Sequence, residues 1–381
     1  MEYPKVKRAM GAARVSRTQI ILGARQWGIG VALTDDPGET LWTLLRLMDG
    51  SRSRAEIVRE MTSERPDLDG ASVLETVDAL VAEGFVEDAA APVPADLEPE
   101  ELERYERSRQ FFAWIERAPR PSPWDVQCRL KRARVCVIGL GGAGGAVAAS
   151  LVATGIGRVT CVDQDTVAVS NLNRTLLYSE QDVGQRKVDV AVRRLRQLNH
   201  HVDVRGLDRR IGCSADIDEL MVDQDLVILC ADEPRVLIGQ WMNQAALRTQ
   251  VPWQICLYDG PMVVTGIFVP GRTACWECIP GSEGGFPGAP EPELLNGEAP
   301  NAVIAPSANL TGHTGALLAT YFLAGLPSGA VGRMLHHSLT QLDHAYYVEP
   351  TREQCQTCGA TAGQPRHERV DVAEQRSGRA A

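Results

Sequence analysis

Apolar and polar positions follow two rhythms along the chain. The first occupies residues 19–88. "QIILGA" and "WGIGVAL" are short apolar runs of strand length, and "DDPGETLWTLLRLMDG" then places Leu41, Leu44, Leu45 and Met48 on one helical face, with Gly50 just past its end. "SRSRAEIVREM" opens a second helix with a capping box, Ser53 and Glu56. "SVLETVDALVAEGFVED" predicts a third, with Val73, Val77, Leu80 and Val81 inward, Gly84 as its stop and Phe85-Val86 starting a final strand. Strands around three helices make a small winged-helix α+β domain, preceded by an N-terminal segment, residues 1–18.

The second rhythm begins after a linker, residues 89–100, rich in Ala, Pro and acid ("AAAPVPADLEPE"). "ELERYERSRQFFAWIE" predicts a charged amphipathic helix. Strand-like and helix-like stretches then alternate: "RVCVIGL", "GGAVAASLVATG", "RVTCVDQD", "KVDVAVRRLRQLN", "DLVILCAD". That alternation predicts an α/β domain over residues 101–360, a Rossmann-like parallel sheet with helices on both faces. "QICLYDGPMVVTGIFVP" reads as two late strands and "SANLTGHTGALLATYFLAGL" as an apolar helix; between them, residues 281–301 form a Gly/Pro-rich loop long enough to be functional. The polar residues 361–381 are expected to be a disordered tail.

Composition narrows the function classes. No run of about 18 apolar residues is present, so no membrane span is expected, and the basic N-terminus lacks the apolar core of a signal peptide. A cytoplasmic protein is expected. The net charge of −10 disfavours nonspecific nucleic-acid binding. There are four lysines, Lys5, Lys7, Lys131 and Lys187, so a lysine near a nucleotide site carries more information than usual.

"VCVIGLGGAGGAV" is a strand, a glycine turn and a helix start, the local design that cradles phosphate. Gly139, Gly141 and Gly144 fit G-x-G-x-x-G, and Asp163 ends the next strand where a carboxylate accepts from ribose hydroxyls. Up to this point NAD and ATP fit equally well. Downstream stand Asn171, Asn173, Arg174 and Lys187, more cation and polarity than a diphosphate needs. They suit a triphosphate whose charge is held and then dispersed as pyrophosphate leaves. Asp232 follows "LVILCAD" at a strand's carboxyl end, in position to bind Mg²⁺.

"GLGGAGG…DQDTVAVSNLNR…GQRKVDVA…CADE" resembles the ThiF superfamily, the adenylating fold shared with ubiquitin-activating enzymes and molybdopterin-synthase adenylyltransferase, over roughly residues 101–358. The resemblance implies that Gly139, Gly141, Gly142 and Gly144 wrap ATP, Asp163 binds ribose, Asn171, Arg174 and Lys187 hold phosphates, and Asp232 binds Mg²⁺. It also implies a homodimer with an arginine supplied to the partner's site from an "RYxRQ" segment. Here that segment reads "RYERSRQ", in which Arg107 fits the spacing from Tyr105 and Arg109 fits the Arg-Gln pair. The implied chemistry is attack of a carboxylate on the ATP α-phosphate, giving an acyl-adenylate and pyrophosphate.

Two of the cysteine pairs have metal spacing. Cys275 and Cys278 in "CWEC" with Cys355 and Cys358 in "CQTC" make a four-thiolate set for structural Zn²⁺. Cys128, Cys136, Cys161, Cys213, Cys230 and Cys256 fall mostly in apolar runs and are expected in the core, and the histidines, His200-His201 and His336-His337 among them, show no partner pattern. Relatives that pass an activated carboxyl to a protein thiol carry a cysteine after the first CxxC. Residues 279–354 hold none, which argues against a thioester relay.

The third helix of the small domain carries acids and no Lys or Arg, which argues against reading DNA. Packing or dimerisation is one alternative. The other is capture of an extended peptide by a strand edge beside a helix groove, with "WGIGVAL" and the helix from Leu41 to Met48 as walls. The region resembles PqqD-like leader-recognition domains, and its fusion to a ThiF-like domain resembles peptide-modifying enzymes of the microcin C adenylating type. The expected function is ATP-dependent, leader-guided adenylation of a carboxyl on a ribosomally made precursor peptide. The alternatives are a sulfur-carrier-protein adenylyltransferase and a non-enzymatic partner that presents a leader to a cyclodehydratase.

Overall fold

The structure is a computed structural model that describes residues 1–24, 28–116, 118–279, 302–329, 331–348 and 355–359. The long Gly/Pro loop and the C-terminal tail of the sequence reading lie outside the described residues.

The N-terminal region opens with β1 (Pro4–Val6), followed by an antiparallel meander of β2 (Ala12–Ser16), β3 (Gln19–Leu22) and β4 (Val31–Thr34) with β3 in the centre. Three helices follow, α1 (Thr40–Leu47), α2 (Arg54–Glu64) and α3 (Gly70–Ala82), then β5 (Val86–Asp88). The first turn of α1 is capped from a distance, since the buried Asp35 carboxylate accepts from the N–H groups of Leu41 at 2.8 Å and Trp42 at 2.9 Å. The capping box of α2 is formed: the Ser53 hydroxyl accepts from Glu56 N at 3.3 Å, and the Glu56 carboxylate from Ser53 N at 2.8 Å. Ile20, Leu22, Leu44, Leu45, Met48, Ile57, Met61, Val73, Val77 and Leu80 close one core. One detail departs from the sequence pattern. The final strand does not join the meander but pairs with β1, so residues set apart as an N-terminal segment contribute strands to both sheets of this region.

A long helix, α4 (Pro99–Ile115), crosses from this region to the next. Trp114 donates its indole N–H to Ala9 O at 3.0 Å, and Arg109 reaches Glu87 at 3.4 Å. Helix α5 (Asp125–Arg132) then leads into an eight-stranded sheet. Its parallel part, in the order β8-β7-β6-β9-β10, comprises β6 (Arg134–Ile138), β7 (Arg158–Asp163), β8 (Asp203–Asp208), β9 (Leu226–Leu229) and β10 (Trp253–Asp259). Three antiparallel strands extend it beyond β10: β11 (Met262–Phe268), β12 (Arg333–Ser338) and β13 (His344–Val348).

Helices cover both faces: α6 (Gly142–Thr154), α7 (Lys187–Leu198) and α10 (Ala305–Ala324) on one, α8 (Ser214–Met221) and α9 (Leu237–Thr249) on the other. Strand β6 shows why its sequence is apolar throughout. Val135 and Val137 enter the core formed with Leu151, Leu195 and Ala319; Cys136 and Ile138 enter the opposite core with Met221 and Met242. A strand with period two and both faces covered has no polar side to show. Helices α6 and α10 cross closely at Gly312, where a Cβ would stand 2.3 Å from Ala143 O. Among the described residues no helix is long and apolar enough to cross a membrane.

Candidate functional site

The chain leaves β6 toward β7 and β8 on one side, and returns to β9 and β10 on the other. The crevice at such a reversal, outside the carboxyl ends of the strands, is where open α/β sheets bind ligands. Most of the residues singled out in the sequence lie on this edge. Gly139 follows β6 with φ +91°, and a Cβ there would lie 2.7 Å from Ala231 N, so only glycine fits. Gly144 is equally constrained: its Cβ would fall 1.8 Å from Gly139 O. Gly141 caps α6, and a Cβ on it would meet nothing within 4 Å, which leaves open space above the free N–H groups of the helix start. Gly142 packs under the beginning of α10, its Cβ position 2.6 Å from Ala308 Cβ.

Asp163 ends β7, almost buried, and its carboxylate binds the glycine turn directly, accepting from Leu140 N at 2.7 Å and Asp165 N at 2.8 Å. Lys187, the first residue of α7, has a side chain only 9% exposed, with its ammonium 2.8 Å from Asp165 Oδ2 and 3.8 Å from Asp163 Oδ2. A lysine at a helix N-terminus opposes the helix dipole. Here the two aspartates hold it, and one of them, Asp163, also accepts from Leu140 N of the glycine turn. Arg174 donates to Ser170 O at 2.8 Å and to Asn173 Oδ1 at 3.1 Å, and its own carbonyl accepts from Asn309 of α10 at 3.0 Å. The Asn171 oxygen closes its own turn by accepting from Ala168 N at 3.1 Å. Asp232 is exposed just beyond β9.

Four residues of this edge were missed in the sequence. Asp165 stands two places after Asp163 in "DQD" and could have been read as the partner of Lys187. Tyr178 is buried and donates its hydroxyl to Leu140 O at 2.9 Å, bracing the glycine turn; burial pushes its phenol well above the ordinary value. Tyr258, near the end of β10, is half-buried beside Arg174 and Asp232; burial raises its phenol and the Arg174 guanidinium draws it partly back. Tyr258 and Asn309 had no local signal, because only the folded sheet and α10 bring them to the site.

The two arginines of α4 differ in situation. Arg109 is locked within its own chain: it donates to Glu106 at 2.8 Å, pairs with Glu87, and lies 5.5 Å from the centre of the Trp124 ring. Arg107 is exposed. Neither is brought to the glycine loop of its own chain by a contact among the described residues.

The cysteine pairs converge. The Sγ atoms of Cys275 and Cys278 are 3.8 Å apart, Cys275 and Cys355 3.8 Å, and Cys278 and Cys358 3.5 Å. These match the edges of a tetrahedron of sulfurs about 2.3 Å from a central ion, roughly 3.8 Å. The four thiols, distant in sequence and largely buried, are compatible with zinc. Of the other cysteines, Cys128, Cys136, Cys161 and Cys256 are buried, while Cys213 is exposed at the start of α8, where it begins a helix rather than filling a strand.

A family model agrees with this arrangement. The ThiF family model matches residues 106–360. The chain belongs to the ThiF family. It is 31% identical to a sulfur carrier protein adenylyltransferase of Thermus thermophilus over 269 residues, 68% of this chain and 92% of that protein. It is 29% identical to the molybdopterin-synthase adenylyltransferase of Escherichia coli, over 70% of this chain and 99% of that protein. Among solved structures, E. coli MccB with ATP superposes with a TM-score of 0.76 at 21% identity, covering 94% of this chain and all of that one. MccB with MccA-N7isoASN gives 0.77 at 22% identity over the same share. At such identities the likeness is one of fold. The fold likeness spans the small N-terminal region as well, whereas the two curated relatives account for about 70% of the chain.

Proposed function

We propose that this ThiF-type adenylyltransferase uses ATP to activate a carboxyl group of a ribosomally made precursor peptide, with the small N-terminal domain holding the leader. The observation that carries the reading is the gathering of Lys187, Asp163 and the glycine turn at one sheet edge, together with a fold likeness to MccB over 94% of the chain, small domain included. That MccB has been solved with MccA, ATP and MccA-N7isoASN supports a peptide as the second substrate. The meander gives further support. Among the described residues β4 pairs only with β3, so its other side is free to receive an extended segment. Such strand addition takes its affinity from main-chain bonds.

In the proposed mechanism the free N–H groups at the start of α6 and the glycine turn receive the phosphates, and Asp163 accepts from the ribose. Arg174 grips phosphate oxygens as a fork, and Lys187 exchanges Asp165 for phosphate. A carboxylate oxygen of the peptide attacks the α-phosphorus; the bond to the bridging oxygen breaks, and pyrophosphate leaves with the electron pair. No protein nucleophile is needed, because alignment and charge neutralisation carry the step. Asp232 would hold Mg²⁺, which supplies charge neutralisation on the phosphates. Cys275, Cys278, Cys355 and Cys358 would hold structural Zn²⁺ and tie the C-terminal cysteines to the sheet.

A homodimer is part of this reading. Helix α10 is mostly apolar; one side is buried, but Leu310 and Leu317 are 40% and 43% exposed. Bare leucines on such a helix suit association with a second copy. Arg107, exposed where Arg109 is committed, is then the better candidate to reach the partner's site.

A second reading, action on a sulfur carrier protein, is favoured by the curated relatives, one of them 31% identical. Pyrophosphate release separates the two. A precursor peptide with its leader is expected to support turnover that Lys187→Ala lowers about 10²–10³-fold, while carrier proteins ending in Gly-Gly do not; turnover with a Gly-Gly carrier alone would overturn the peptide reading.

A further inference from the structure

Away from the nucleotide edge, the junction between the start of α4 and the turn after α7 gathers three side chains that none of the foregoing uses. Glu100 lies in the first turn of α4, and His200 and His201 follow Asn199, which ends α7. Their ligand atoms all lie within 4.8 Å of one another. We propose that Glu100, His200 and His201 bind a divalent transition cation of the zinc class, separate from the four-cysteine site.

The geometry does not fit hydrogen bonding. His200 Nε2 is 3.7 Å and His201 Nε2 3.6 Å from Glu100 Oε2, both too long for a hydrogen bond. The His201 side chain is only 7% exposed, and its buried Nε2 has no hydrogen-bond partner. A buried polar atom without a partner costs free energy, and this one is directed at a carboxylate. Two donor atoms that each stand about 2.0–2.2 Å from one ion lie about 3.3–3.6 Å apart in a tetrahedral arrangement. One cation therefore satisfies Nε2 and the carboxylate together, where a hydrogen bond does not. Two neutral imidazoles and a carboxylate suit zinc better than the hard cations magnesium or calcium.

The surroundings hold the set in place. Glu98 Oε2 lies 3.9 Å from His201 Nδ1, on the side where a ligating histidine directs its other N–H. Asn199 anchors the junction, donating to the Tyr105 hydroxyl at 2.7 Å and to Val152 O at 2.8 Å, and its oxygen accepts from His201 N at 3.3 Å. Glu100 and His200 are 60% and 63% exposed, so the cation enters from solvent and keeps water in its remaining position. The ion would staple the start of α4 to the end of α7. That fixes the helix carrying Tyr105 and Arg107 against the ThiF-type domain, independently of which carboxyl is adenylated.

The test uses the full-length protein, titrated with zinc chloride by calorimetry and with cobalt(II) by absorption, after the four-cysteine site is filled. Wild type is expected to take up a second equivalent with micromolar affinity; in cobalt this equivalent adds d–d absorption without thiolate charge-transfer bands. Glu100→Gln and His200→Ala alter exposed side chains and are expected to lose that equivalent with unchanged melting temperature in its absence, while Cys355→Ser keeps it. Zinc is also expected to slow amide exchange at the start of α4 in wild type and not in His200→Ala. Uptake of only the thiolate-bound equivalent by wild type, or a second equivalent that survives in both Glu100→Gln and His200→Ala, would overturn the site.

Discussion

On the proposed function, the small N-terminal region and the ThiF-type domain would place their recognition chemistry in different parts of the polypeptide. In the larger domain it resides in side chains and in backbone positions that admit one residue type: Gly139 at φ +91°, Gly144 against Gly139 O, Asp163 bound to the turn, Lys187 held by two aspartates. In the small region the proposed feature is the open side of β4, an edge strand of the meander as β2 is, whose donors and acceptors are main-chain groups that any sequence provides. The first kind of site is fragile to single substitutions and visible in sequence; the second is tolerant and nearly silent. Substitutions can sharpen or break that contrast.

The largest effect is expected at Lys187. Lys187→Ala would remove the proposed charge-assisted phosphate contact while leaving Asp163 attached to Leu140 N and Asp165 N. Loss of one preorganised group of this kind costs about 10²–10³-fold in turnover. Pyrophosphate exchange should fall by that factor with the melting temperature within a few degrees of wild type. A comparable loss of melting temperature would instead make Lys187 a structural partner of the aspartates. Next in size is Cys355→Ser, which breaks a set of thiols spaced 3.5–3.8 Å apart. Zinc content should drop and thermal stability with it, because metal binding free energy is folding free energy. ATP affinity at low temperature should change little. A variant that keeps full metal and full stability would remove the cysteines from the frame of the fold.

Legibility in the sequence follows the same division. The alternation of β6 through β10 with helices could be read because both faces of each parallel strand are buried, so that "RVCVIGL" and "DLVILC" are apolar without a break. The glycine turn, Asp163 and the CxxC pairs were legible because their chemistry admits few residue types. Asp165, Tyr178 and Tyr258 were missed for a different reason. An aspartate in a turn or a tyrosine in an apolar run satisfies many environments, and only the tertiary fold brings Tyr258 beside Arg174. The pairing of β5 with β1 was likewise unreadable, since three-residue strands carry almost no periodicity. Of Arg107 and Arg109 the sequence favoured neither; burial and ion pairs distinguish them.

A smaller effect is expected from pH. Asp182 is nearly buried; burial alone would raise its carboxyl, but the Ser179 hydroxyl and N–H and the Arg194 guanidinium outweigh this and hold it below its ordinary value. A carboxylate with a lowered folded pKa contributes stability that is complete above the unfolded value, about 3.9, and is lost as pH falls below it. Asp182→Asn should therefore melt lower than wild type near neutrality, and the gap should narrow as pH falls below the unfolded carboxylate value of about 3.9. A gap independent of pH would assign the loss to packing of the loop before α7 rather than to the charge.

The smallest effects are expected where the comparison is most exposed to failure, on β4. Ala32 and Thr34 are exposed and Val31 and Leu33 half-buried, so one side of the strand can change without touching the core. If a leader is held by main-chain bonds along β4, Ala32→Ser and Thr34→Ala should shift KM for a precursor peptide by no more than about threefold, because no single side chain carries the affinity. Deleting the leader from the same peptide should raise KM far more while leaving ATP affinity unchanged. A tenfold rise from Thr34→Ala alone would show that the small region also reads its ligand through a side chain, and the two regions would then differ in degree rather than in kind.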